Sequence, residues 1–142
     1  MSIGRIIAGR EQEIVSCTAK DSVRKAAELL AEKRIGAMPV MDGSQVAGIF
    51  SERDLLHCVA KHGGAALDLA VGEVMTAPAI TIGRNEDALS AMALMTRRRI
   101  RHLPVVEGGR LVAFVSIGDL VKHRIEQIEA EAEAMREYIT TA

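Results

Sequence analysis

Shifted by 65 residues, the 142-residue chain falls onto itself without a gap. Arg34-Ile35-Gly36-Ala37-Met38-Pro39-Val40 meets Arg99-Ile100-Arg101-His102-Leu103-Pro104-Val105. Asp42-Gly43 meets Glu107-Gly108, and Ser51-Glu52-Arg53-Asp54-Leu55 meets Ser116-Ile117-Gly118-Asp119-Leu120. Between residues 14 and 55, 10 of about 42 pairs are identical, and four of them are Pro39, Gly43, Ser51 and Asp54. Those types make turns, caps and contacts, so shared hydrophobicity alone does not explain the match. A repeat of this period restricts the chain to two copies of one supersecondary unit. A unit of about 60 residues is too small for a good core alone, so the halves are expected to pack sheet to sheet.

Each half reads alike. A short apolar stretch, Glu13–Cys17 or Ala79–Ile82, is expected as a strand. A helix follows, capped by Asp21 or Ser22 in the first half and by Asn85 in the second. Val23, Ala26, Ala27 and Leu30 give the first helix one apolar face. Two apolar runs then flank Asp42-Gly43, and two more flank Glu107-Gly108-Gly109, a strong hairpin signal. A last helix follows Ser51 or Ser116. The expected fold class is α+β: two β-α-β-β-α repeats related by a pseudo-two-fold, at residues 8–62 and 73–125, joined by a linker at 63–72. A helical extension occupies 126–142, and Val121, Ile125, Ile128, Ala132, Met135 and Ile139, spaced 4, 3, 4, 3, 4, run from the end of the second repeat along it. That heptad stripe suggests a dimer contact or a helix folded back on its own domain.

Composition removes several classes of function. With 18 basic and 19 acidic residues the formal charge is −1, so bulk attraction to nucleic acid or an anionic membrane is not expected. No apolar run approaches the roughly 18 residues of a membrane span. The opening residues are too short and polar for a secretory signal, and Cys17 and Cys58 are no disulfide framework, so a cytoplasmic chain with reduced thiols is expected. His57, Cys58 and His62 share no helix face, which argues against a metal site. No phosphate-loop or dinucleotide glycine motif occurs, and no nucleophile–base pair can be named, so no enzyme and no catalytic cofactor are expected.

Two motifs remain, each present twice. Met38-Pro39-Val40-Met41-Asp42-Gly43 is echoed by His102-Leu103-Pro104-Val105-Val106-Glu107-Gly108. Gly48-Ile49-Phe50-Ser51-Glu52-Arg53-Asp54 is echoed by Ala113-Phe114-Val115-Ser116-Ile117-Gly118-Asp119, with Ala113 in the glycine's place. The Ser-x-x-Asp element sits where a strand gives way to a helix. The first amides there are unpaired and carry partial positive charge, which favours a phosphate. A carboxylate in the first turn accepts two hydrogen bonds at once, as a ribose cis-diol requires. The same residues also make a variant capping box, and the two roles are compatible.

In these motifs the chain resembles the cystathionine-β-synthase (CBS) domain family, and the whole resembles a stand-alone tandem CBS pair over roughly residues 8 to 125. The resemblance implies a regulatory module without chemistry of its own. It implies an adenosyl ligand, such as AMP, ADP, ATP, NAD(H) or S-adenosylmethionine, bound as a regulator in the cleft between the repeats. It also implies a disc-like homodimer and a separate regulated protein. By the same resemblance Asp54 and Asp119 hold ribose, with Ser51 and Ser116 near phosphate. One composite site joins Asp119, Ser116, Phe114, Arg101 and His102 to Val15, Ile35 and Gly36. The other joins Asp54, Ser51, Ile49 and Ala37 to Ile80 and Ile100, with Thr76 beside the ligand. Arg53 supplies charge at the first motif, where the second has Gly118. Arg97 and Arg98 read as a basic helix end. The alternatives are a ligand-free scaffold acting through homodimerisation, or nucleic-acid binding through Arg97–Arg101.

Overall fold

The computed structural model describes residues 1–8 and 13–141. The chain order is α1 (Ile3–Ile7), β1 (Cys17–Thr18), α2 (Val23–Lys33), β2 (Ala37–Asp42), β3 (Gln45–Ser51), α3 (Glu52–His62), a 3-10 helix (Gly63–Asp68), α4 (Val71–Val74), α5 (Ala88–Arg98), β4 (His102–Glu107), β5 (Arg110–Ser116) and α6 (Ile117–Thr141). The opening of the first repeat, residues 9–12, and Ala142 lie outside the described residues.

The hairpins form where the turn chemistry puts them. Two-residue turns join β2 to β3 and β4 to β5, with Gly43 and Gly108 at φ 62° and 59°, a conformation that suits glycine. Both hairpins slip register at the same place, between Val40 and Met41 and between Val105 and Val106. The repeat is therefore kept down to its bulges.

The opening strands are shorter than the apolar stretches predict. β1 pairs in parallel with β2 only at Cys17–Val40 and Thr18–Met41. In the second half a single parallel bridge, Ile82 to Val105, takes its place. Proline sets the limit. The Ile82 N–H donates to the Pro104 carbonyl, and the Val106 N–H donates to the Ile82 carbonyl. Continuing that ladder backwards needs an N–H from Pro104, which has none. Pro39 stands at the matching place in the first half.

Caps follow the repeat. The Ser22 hydroxyl accepts from the Lys25 N–H at 3.1 Å. α5 is capped by Asp87, whose carboxylate accepts from the Leu89 N–H at 3.1 Å. Asn85, the expected cap, lies in the preceding turn. Asp87 is the residue 65 positions from Ser22, so the repeat register locates the cap better than side-chain preference does. Both helices end on an arginine in the left-handed region, Arg34 at φ 54° and Arg99 at φ 55°.

Each half has its own core, completed by chain from outside its hairpin unit. The first core gathers Val23, Leu30, Met38, Val40 and Phe50, with Val71 from α4. The second gathers Met95, Leu103, Val105, Val115 and Leu120, with Ile3, Ile6 and Ile7 from α1. So the segment preceding the first repeat closes the second, and the segment preceding the second repeat closes the first. The tethers are equivalent. The Ile3 N–H donates to Glu86 and the Val71 N–H to Asp21, both at 2.8 Å. Gly4 donates to Arg84 at 2.8 Å and Gly72 to Ala19 at 2.9 Å. No helix among the described residues is long and apolar enough to cross a membrane.

Candidate functional site

Two open clefts lie between the halves. A Ser-x-x-Asp element lines each.

The first cleft holds Asp54 and Ser51 at the start of α3, with Arg53, Ile49 and Ala37 beside them. Thr76, Ile80, Ile100, Arg101 and His102 face them from the second half. The Asp54 carboxylate is already engaged. Its Oδ2 accepts from the Ser51 N–H at 2.9 Å and the Ser51 hydroxyl at 3.0 Å. Its Oδ1 accepts from the Thr76 hydroxyl at 2.8 Å. Thr76 is brought there by mutual backbone bonds with Ile49, both at 2.9 Å. That approach needs Gly48: a Cβ there would lie 2.7 Å from the Thr76 carbonyl oxygen and 2.8 Å from the Met75 sulfur. Arg53 spans the cleft, its guanidinium donating to the Arg99 carbonyl at 2.8 Å. The left-handed turn at Arg99 presents that carbonyl.

The second cleft brings together Asp119, Ser116, Phe114, His102, Val15, Ile35 and Gly36. The Ser116 N–H donates to Asp119 Oδ2 at 2.9 Å, and the Asp119 N–H to the Ser116 hydroxyl at 3.1 Å. The His102 ring stacks on Phe114, centroids 5.5 Å apart and planes 12° from parallel.

Not every expected neighbour arrives. Arg101 lines the Asp54 cleft and not the Asp119 cleft, while His102 lines both. Arg101 precedes β4 and joins His102 in the Asp54 cleft, so the two adjacent basic residues meet at the site opposite the one expected. Gly118 is not among the described residues lining the Asp119 cleft. Arg97 and Arg98 line neither cleft, but Arg99 lines the first. Sequence reasoning missed Glu52, Pro78 and Ala79 in the first cleft and Glu13, Ile14 and Arg34 in the second. Arg34 and Arg99 are identical under the 65-residue shift, which was the available signal.

Among the described residues the two clefts differ in charge. The first is lined by three arginines (53, 99 and 101) against two carboxylates, Glu52 and Asp54. The second is lined by Arg34 against Glu13 and Asp119.

Burial, and then the neighbouring Arg101 charge, hold the His102 imidazole below its ordinary 6.5, while Asp119 and Glu52 oppose the shift. The folded state therefore binds this proton less readily than the unfolded chain does. The imidazole penalises stability only as pH falls below 6.5, down to its depressed value. Urea unfolding is expected to show a loss between pH 7 and pH 5.5 that His102→Gln removes. Asp21, held low chiefly by the Thr18 N–H, acts below the ordinary 3.8 and does not contribute to that window. An unchanged slope in the variant would refute the assignment. Cys17 and Cys58 are both free and buried. Burial, reinforced by Asp21, pushes the Cys17 thiol up to about 11, which makes it a poor nucleophile.

Comparison with known proteins bears on the whole arrangement. The family model described as "CBS domain" matches residues 10–61 and 71–126. The CBS domain-containing protein CBSX3, mitochondrial, of Arabidopsis thaliana is 35% identical over 128 residues; these are 87% of this chain but 62% of the plant protein. The crystal structure of the CBS-domain containing protein ATU1752 from Agrobacterium tumefaciens superposes with TM-score 0.82 at 37% identity, covering 87% of this chain and 99% of that one. The CBS domain protein PAE2072 from Pyrobaculum aerophilum, complexed with AMP, superposes with TM-score 0.78 at 26% identity, covering 93% and 99%. With both repeats matched and both inter-repeat clefts in place, the chain belongs to the CBS-domain family as a tandem pair.

Proposed function

We propose that this chain is a non-catalytic regulatory module that binds an adenosyl ligand between its repeats and signals the occupancy to a separate protein. The observation that carries this reading is the Asp54 cleft. There a first-turn carboxylate, a threonine hydroxyl, three arginines and an apolar wall converge on one cavity. A ribose cis-diol can exchange for the Ser51 and Thr76 hydroxyls on Asp54 without leaving the carboxylate short of donors. Phosphates find Arg53, Arg99 and Arg101. Ile49, Ile80 and Ile100 offer the base an apolar face. The AMP complex of PAE2072, a relative of the same fold, supports the ligand class.

With its three arginines the Asp54 cleft suits the anionic ligands, AMP, ADP, ATP or NAD(H), over S-adenosylmethionine. Two free, buried cysteines fit a reducing compartment, and we place the protein in the cytoplasm, acting as a homodimer.

Thermal unfolding against these six ligands tests the reading. At about 100 times its dissociation constant a ligand stabilises the fold by about 2.7 kcal/mol, roughly 8–10 °C at this size. The shift with an anionic nucleotide is expected to vanish in Asp54→Ala and survive in Asp119→Ala. No shift with any ligand would overturn it in favour of a scaffold without ligand.

A further inference from the structure

α6 runs for 25 residues, well past the second repeat's core. Leu120 is its only buried residue, and from Glu129 onward every described residue is exposed except the half-buried Ala132. Along it runs an apolar stripe: Val121, Ile125, Ile128, Ala132, Met135 and Ile139. The larger members are open to solvent, Ile125 at 50%, Ile128 at 48%, Met135 at 60% and Ile139 at 67% exposed. The stripe is roughly 27 Å long at 1.5 Å per residue. A lone helix with such a face gains nothing from its own domain to hold it. Its 4-3 spacing puts Val121, Ile128 and Met135 at d and Ile125, Ala132 and Ile139 at a of a heptad.

The flanking charges name the occupant. The g positions are Arg124, Glu131 and Tyr138, and the e positions are Lys122, Glu129 and Arg136. When two copies lie parallel and in register, each g residue faces the e residue five positions on in the other copy. Arg124 then meets Glu129 of the second copy, and Glu131 meets Arg136 of the second copy. Both pairs are attractive, and all six apolar layers are filled. Within one helix these partners do not face each other; Arg136 instead reaches Glu133, at 3.1 Å.

We propose that α6 is a dimerisation helix, which pairs with the same helix of a second copy as a parallel two-stranded coiled coil. It carries the two bodies side by side at one end, and pairing requires no nucleotide.

Sedimentation and light scattering of the full chain test this directly. The expected mass is twice 15.3 kDa. Ile128→Lys is expected to give a monomer. Its unfolding midpoint extrapolated to low concentration should equal that of wild type, because Ile128 lies outside both cores. Glu131→Arg should weaken dimerisation about tenfold by opposing Arg136 of the second copy. Glu131→Arg with Arg136→Glu should restore it. A monomeric wild type, or a dimer that survives Ile128→Lys, overturns the proposal. Failure of the double variant to recover overturns the parallel register.

Discussion

Deleting residues 1–8 is expected to unfold the second half of the molecule. α1 contributes Ile3, Ile6 and Ile7 to that core, with Ile3 wholly buried. Each such side chain contributes roughly 1.5–3 kcal/mol through burial, so the three together stand near 5–9 kcal/mol. That is comparable to the 5–15 kcal/mol typical of a whole domain. The single change Ile3→Ala should cost about 2–5 kcal/mol, since Ile3 is wholly buried in the core it shares with Met95, Leu103 and Val105. Urea unfolding followed by circular dichroism would measure both. A truncated chain that unfolds at the same urea concentration as the full chain would show that α1 is peripheral.

Gly48→Ala should destabilise the fold by less, but should also disable the Asp54 cleft. The added methyl would sit 2.7 Å from a backbone carbonyl, which cannot swing aside as a side-chain tip can. Either β3 or the Met75–Thr76 segment must move. The expected cost is about 1–3 kcal/mol, as for other overpacked cores. Moving the segment also breaks the Ile49–Thr76 backbone pair and withdraws the Thr76 hydroxyl from Asp54. The variant should therefore lose nucleotide-induced stabilisation along with intrinsic stability. The second half supplies a control, because Ala113 already carries a methyl at the equivalent place. If Gly48→Ala unfolds within about 0.5 kcal/mol of wild type, the close approach is not a constraint.

Much of this arrangement could be read from residues alone, for identifiable reasons. The hairpins were legible because Asp42-Gly43 and Glu107-Gly108 announce turns locally. Two copies of Ser-x-x-Asp at one period marked both clefts, because each element is contiguous in sequence. What escaped was what two distant segments make together. The 65-residue shift aligns the repeats, but the closing helices obey a different one: Ile3 corresponds to Val71, and Gly4 to Gly72, at 68. A search at one period passes over them. The shortened opening strands were hidden because apolar character does not say whether the neighbouring strand has an N–H to offer, and Pro39 and Pro104 do not. Arg101 lines the Asp54 cleft because the turn out of α5 carries Arg99, Ile100 and Arg101 there together, a path the sequence does not state.

The exchange of closing segments also decides how mechanical load enters the molecule. Residues 3–7 are anchored in the second half, and so is the start of α6. The first half is reached only through chain that lies between those anchors. Tension applied from either side, by a tethered neighbour or by the paired α6 helices, is therefore borne by the second half before it reaches the first. The Asp54 cleft draws Ile80, Ile100 and Arg101 from that loaded half and its carboxylate from the sheltered one. A ligand bridging them would resist the strain, so its binding can be felt as a change in stiffness at both ends of the chain.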